Sequence, residues 1–184
     1  LVGVESVTTD GLKDVYKGFN LAGDELVTRL RAFRRHDIHV LGSFIFGLPS
    51  DRPETFEATA AIASRAGLTF AQFVMLTPFP GTVDFAAWEK TMEADQTRIG
   101  GVPLTRHWLI PQSKRPKIYN AHPVMTADQI RSGTQEVWDR FYSFNCFFTD
   151  YNGVVLDENR ARSKDVTLRV QQRAGLIALI EKRD

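Results

Sequence analysis

The sequence predicts a parallel α/β fold: about half of a parallel β/α barrel, followed by a C-terminal helical extension. Three observations predict it. Three short apolar segments have the composition of strands, amphipathic segments lie between them, and turn-forming or polar residues follow each apolar segment directly. The expected strands cover 1–7, 39–47 (His-Val-Leu-Gly-Ser-Phe-Ile-Phe-Gly) and 69–76 (Thr-Phe-Ala-Gln-Phe-Val-Met-Leu). The second and third are nearly continuous apolar runs, the pattern of strands buried on both faces in a parallel sheet. Their starts fall roughly 30 to 40 residues apart, the length of a right-handed βαβ unit. About three such units cannot close an eight-stranded barrel. A partial barrel is therefore expected over 1–95 and an extension of loops and helices over 96–184.

Each remaining element has its own local reason. Over 25–36, Leu26, Leu30 and Phe33 recur at helical spacing with charges between them. Over 51–66, Asp51-Arg52-Pro53-Glu54 supplies a capping acid, an early proline and a first-turn acid, and Phe56, Ala60 and Ala63 continue as an apolar stripe. Pro80-Gly81 suits the centre of a type II turn. Gly100-Gly101-Val102-Pro103 and the stretch 111–116 read as loops. Thr126-Ala127-Asp128-Gln129 matches a capping box, and Ile130, Val137, Trp138 and Phe141 form one face of a helix reaching about Ser143. An aromatic-rich irregular stretch is expected over 145–153. A last amphipathic helix is expected over 164–182, with Val166, Val170, Leu176 and Leu179 inward.

The 184 residues carry a formal net charge of +1, so there is no electrostatic case for nucleic acid or an anionic membrane. Arg31, Arg34 and Arg35 read as a solvated helix face. Cys146 is the single cysteine, which rules out an intrachain disulfide and cannot hold a metal cluster alone. No apolar run has the length of a membrane span and no signal peptide precedes the first residues, so a cytoplasmic location is expected. The chain opens at Leu1 directly into a strand-like segment, which predicts a cut polypeptide.

In parallel α/β architectures ligands bind beyond the carboxyl ends of the strands. That rule selects Glu5-Ser6, Gly47-Leu48-Pro49-Ser50-Asp51 and Thr77-Pro78-Phe79-Pro80-Gly81-Thr82. With Gly3-Val4-Glu5-Ser6, Phe44-Ile45-Phe46-Gly47-Leu48-Pro49 and Thr77-Pro78-Phe79-Pro80-Gly81-Thr82 in this order and at this spacing, the sequence over roughly 1–90 resembles the radical S-adenosylmethionine (SAM) enzymes. It is most similar to the branch that often carries an N-terminal cobalamin-binding domain.

The resemblance implies a partial barrel of that type and the C-terminal part of an enzyme. When complete, that enzyme holds a 4Fe-4S cluster on a Cys-x-x-x-Cys-x-x-Cys loop, cleaves SAM reductively and starts radical chemistry on a small-molecule substrate. Cobalamin is a further cofactor the branch allows. It implies that Glu5 and Ser6 lie near the methionine or ribose part of SAM, that Phe46, Gly47 and Leu48 flank the adenine, and that Thr77 and Pro78 close that pocket. It assigns no catalytic residue and no metal ligand in this chain. The cysteine loop is absent, so the resemblance implies a fragment inactive alone, whose partner is the missing N-terminal half of the same polypeptide. The segment 101–108 resembles the extension that covers the barrel mouth in some of these enzymes.

Two other readings stand beside it. One is a non-catalytic α/β binding or interaction module. The other is a different barrel enzyme using Glu5 as a base, for which no partner residue is identifiable. His36 and His39 straddle a helix end and a strand start, so a structural role is expected rather than a metal pair. His107 and His122 read as partly buried surface histidines, with substrate contact open for His107. Trp88, Trp108 and Trp138 read as core anchors. Phe144, Phe147, Phe148 and Tyr151 read as cover for a partner surface.

Overall fold

Strand β1 (Val2–Glu5), β2 (Leu41–Phe46) and β3 (Phe70–Met75) pair in parallel in the order β1-β2-β3 in the computed structural model, which describes residues 1–20 and 22–143. The helices are α1 (Thr9–Asp14), α2 (Gly23–Arg35), α3 (Pro53–Arg65), α4 (Val83–Asp95) and α5 (Ala127–Tyr142). A small antiparallel hairpin of β4 (Arg98–Ile99) and β5 (Val102–Pro103) follows α4. The expected aromatic stretch over 145–153, the helix over 164–182 and Cys146 lie outside the described residues.

One face of the sheet carries the core. Val4, Phe44, Phe46, Ala71 and Phe73 are buried and join Leu26 and Leu30 of α2, Phe56, Ala60 and Ala63 of α3, and Ile130, Val137 and Phe141 of α5 in one cluster. On the opposite face Gly3, Glu5, Ser43, Ile45 and Val74 are only half-buried, and Gln72 is exposed. The expectation of strands buried on both faces is therefore corrected. Ile45 and Val74 make the runs look continuous, but composition does not say how much of a residue is covered, and here burial alternates with the two-residue period of a strand.

The half-barrel is corrected too. Both crossover helices lie on one face of a sequentially ordered sheet, which is the βαβαβ half-unit of an open, Rossmann-like fold. Among the described residues, the outer edge of β3 is met by side chains rather than by another strand. Tyr142 Oη accepts from Ala71 N at 3.0 Å and donates to Ala71 O at 2.7 Å, and Trp138 Nε1 donates to Phe73 O at 2.9 Å. These backbone groups are those a further barrel strand would pair, so α5 seals the edge instead. A βα repeat reads alike in both architectures, whereas closure depends on strand tilt and shear, which leave no local pattern.

Helix α5 reaches that position through its capping box. Gln129 N donates to Thr126 Oγ1 at 3.2 Å and Thr126 N to Gln129 Oε1 at 2.8 Å. It then packs closely on α3, where a Cβ placed on Gly133 would lie 2.7 Å from ring atoms of Phe56. Local reading missed α1, which has 6 residues, and α4, on which Phe85 and Trp88 are the buried residues. Gly100 and Gly101, at φ 58° and 81°, make the turn of the β4–β5 hairpin rather than an open loop. Among the described residues no helix is long and apolar enough to cross a membrane.

Candidate functional site

Parallel pairing brings the carboxyl ends of β1, β2 and β3 to one edge, and each ends in a different device. At β1, Ser6 N donates to Val4 O at 2.9 Å, closing a three-residue turn around Glu5 at φ 67°. This backbone costs a non-glycine residue about 1–2 kcal/mol. The turn folds the Glu5 carboxylate back over Gly3. A Cβ on Gly3 would lie 2.5 Å from Glu5 Oε1 and 3.2 Å from Lys17 Nζ. Lys17 Nζ donates to Glu5 Oε1 at 2.5 Å. The glycine of Gly3-Val4-Glu5 thus makes room for an ion pair. Ser6 is buried and works locally: its Oγ accepts from Thr8 N at 3.2 Å at the start of α1.

At β2, Gly47 turns the chain at φ 90°. Asp51 is 1% exposed, and its Oδ2 accepts from Gly47 N at 2.9 Å and Leu48 N at 3.0 Å. Its Oδ1 is buried with no partner among the described residues. Burial pushes the Asp51 carboxyl above its ordinary pKa, against the opposing pull of the two amides. The expectation that Asp51 caps α3 is corrected, since Arg52 is the capping residue and its N is met by Thr55 Oγ1 at 3.0 Å. Asp51 reaches backward to the turn because two free amides lie there. From α1, Asp14 Oδ2 accepts from Ser50 N at 2.9 Å. From the segment entering α5, His122 Nε2 lies 2.8 Å from Leu48 O.

At β3, Thr77 Oγ1 donates to Met75 O at 3.0 Å. Pro78 is buried, and its carbonyl accepts from His107 Nε2 at 3.0 Å. His107 itself is buried beside Trp88, Trp108 and Tyr119, so the expectation of a surface position is corrected. Burial also raises the Tyr119 pKa, with Arg115 opposing. Thr82 N bonds Phe79 O at 3.2 Å across Pro80 and Gly81, with Gly81 at φ 89°, as a type II turn requires. Thr82 then caps α4 through Phe85 N at 3.1 Å.

Glu5, Ser6, Gly47, Leu48, Thr77 and Pro78 therefore stand along one edge. The Phe46 side chain points the other way, into the core against Phe56 at a ring distance of 4.7 Å. Local reading gave no site role to Lys17 or His122, because each joins the edge through a contact distant in sequence. His39 Nδ1 lies 3.0 Å from Thr69 Oγ1, and no group of His, Cys, Asp and Glu among the described residues could hold a metal ion. Trp88 is buried and Trp138 half-buried, but Trp108 is 40% exposed under the Arg106 guanidinium and is not a core anchor.

No model of a known protein family matches the chain. It is 28% identical over 140 residues to an uncharacterized methyltransferase of Pyrococcus horikoshii, a match covering 76% of this chain and 28% of that protein. It is 39% identical over 85 residues to the bacteriochlorophyllide d C-12(1)-methyltransferase of Chlorobaculum tepidum, covering 46% of this chain and 18% of that protein. The chain thus spans less than a third of the length of these relatives. Both are methyltransferases by name. The expectation of a radical SAM enzyme fragment is corrected by these matches to a likeness to methyltransferases, and they lend no support to a 4Fe-4S cluster or cobalamin. Nor do they favour the non-catalytic module.

Proposed function

We propose that the chain is part of a SAM-dependent methyltransferase acting on a small-molecule acceptor, with the carboxyl edge of β1, β2 and β3 as its SAM site. The observation that carries this reading is the likeness to methyltransferases over 76% of the chain. When bound, SAM offers a sulfonium methyl group. The acceptor's nucleophile bonds to that carbon, and the electron pair of the broken carbon–sulfur bond stays on sulfur.

The chemistry of the edge suits such a ligand. SAM carries a zwitterionic methionine end, and the Glu5–Lys17 pair offers an acceptor for its ammonium and a donor for its carboxylate. Ser6 adjoins them. In this reading Gly47, Leu48, Thr77 and Pro78 flank the adenine, and Phe46 supplies backbone and a fixed base for the turn. Asp51 Oδ1, without a partner among the described residues, adds an acceptor beside that turn. A cytoplasmic enzyme is part of the same proposal.

Calorimetric titration of the full chain with S-adenosylhomocysteine tests it. Saturable binding is expected, weakened about tenfold by Glu5→Gln, which removes a charge-assisted interaction. Absence of saturable binding up to about 1 mM ligand overturns the reading.

A further inference from the structure

His122 lies in the irregular segment before α5, and its two ring nitrogens have different duties. Nδ1 faces two backbone amides, Val124 N at 3.1 Å and Met125 N at 2.9 Å. Both groups donate, so Nδ1 must accept from them and carries no proton. Nε2 is then the protonated nitrogen of the neutral ring, and it donates to Leu48 O at 2.8 Å, across 74 residues of sequence. One end of the ring is fixed by the entry to α5, and the other reaches the turn at the end of β2.

That turn is also held by contacts of its own and by α1. Asp51 holds the amides of Gly47 and Leu48 from within the turn, and Asp14 holds Ser50 N. The Leu48 carbonyl accepts from Asp51 N at 2.9 Å within the turn and from His122 Nε2 at 2.8 Å from outside it, and Leu48 itself is 1% exposed. The anchor behind His122 is firm. Met125 and Ile130 are buried in the core, and Ile130 Cγ2 lies 3.6 Å from where a Cβ on Gly47 would stand. Helix α5 and the segment that enters it therefore meet the Gly47 turn at two points, Ile130 by packing and His122 by its hydrogen bond.

We infer that His122 is a positioning residue for the SAM site: docking of α5 sets its ring, and the ring, together with the Asp51 amide, fixes the peptide plane after Leu48 and ties the Gly47–Asp51 turn to the segment before α5. The inference rests on the reading of this edge as a SAM site. It adds a requirement that the strand-end motifs do not contain, namely that a segment far along the chain completes the turn.

Two substitutions separate the duties of the ring. In His122→Asn the side-chain oxygen falls near the position of Nδ1 and keeps the amides of Val124 and Met125, but Leu48 O keeps only Asp51 N and loses its tie to the segment before α5. In His122→Gln the side-chain nitrogen falls near the position of Nε2 and keeps Leu48 O, while the amides lose their acceptor. S-adenosylhomocysteine affinity by calorimetry and the thermal midpoint are measured on the full chain for the wild type and both variants. Positioning predicts that Asn melts close to the wild type yet binds about tenfold more weakly, and that Gln melts lower yet binds within about twofold of wild type. Wild-type affinity in Asn, or losses in both variants that follow their stability, overturns the role of His122 and leaves the SAM site standing. No binding by the wild type overturns the SAM site itself, and this inference with it.

Discussion

On the helix-covered face of the sheet, Phe44, Phe46 and Phe73 are at most 3% exposed and touch little but other apolar groups. At the carboxyl edge of the same strands, Glu5 sits at φ 67°, Asp51 is buried with an oxygen unpartnered among the described residues, and two turn carbonyls are held by histidines. Ring contacts hold the first region, with Phe73 near Phe44, Phe46, Trp138 and Phe141 at centroid distances from 5.3 to 6.2 Å. Specific hydrogen bonds hold the second, and it contains backbone strain and a desolvated carboxyl. Packing of the first kind stabilises the fold, and the second spends some of that stability on geometry. The difference teaches that a residue's worth here depends on which way its strand position points, more than on its type.

The largest test of this contrast lies within one strand. Phe73→Ala is expected to lower the free energy of unfolding by about 3–5 kcal/mol in urea titration, because it empties the centre of the ring cluster. Its neighbour Gln72, on the open face, is expected to change stability by no more than about 0.5 kcal/mol when replaced by Ala. Comparable losses at both positions break the account of a one-sided core.

A second test probes the closeness of α3 and α5. The added methyl of Gly133→Ala meets the Phe56 ring at 2.7 Å, so overpacking of about 1–3 kcal/mol is expected in thermal melts. The same substitution in a Phe56→Leu background is expected to cost less, since the flat ring is what obstructs it. An equal cost in both backgrounds places the penalty elsewhere.

The smallest effect is electrostatic and sharpens the description of the edge. The Asp51 carboxyl is raised from its ordinary value of 3.8, so the folded state keeps its proton to higher pH than the unfolded chain does. The associated stability is full below that ordinary value and is lost as pH rises through the folded one. Urea midpoints of the wild type, taken relative to Asp51→Asn across the acid range, are therefore expected to fall with rising pH and then level off. A difference that rises with pH means that the two amide bonds outweigh burial.

Much of the scaffold was legible before any contact was known. The strands at 41–46 and 70–75, the helices ending near Arg35, Arg65 and Tyr142, the Pro80-Gly81 turn and the Thr126–Gln129 box all follow from neighbours within about four residues, where propensity, periodicity and capping act. Glu5, Gly47 and Pro78 were legible as site candidates because a parallel sheet gathers its strand ends. Helix α4 was not, because its apolar residues form no continuous stripe. Asp51 misled as a cap because its type suits a helix start equally well as a turn acceptor.

By itself, then, the sequence determined the order of strands and helices, the local caps and turns, and the edge along which the candidate site residues collect. These are set by interactions between residues close in the chain. Tertiary structure alone decided, among the described residues, that the sheet is open rather than half a barrel, that one face is only partly covered, and that Lys17 and His122 belong to the edge. Each of those outcomes depends on a contact between distant segments: Tyr142 on Ala71, Lys17 on Glu5, His122 on Leu48. Such contacts form only when the packed core has fixed where the segments meet, and no local pattern encodes that distance.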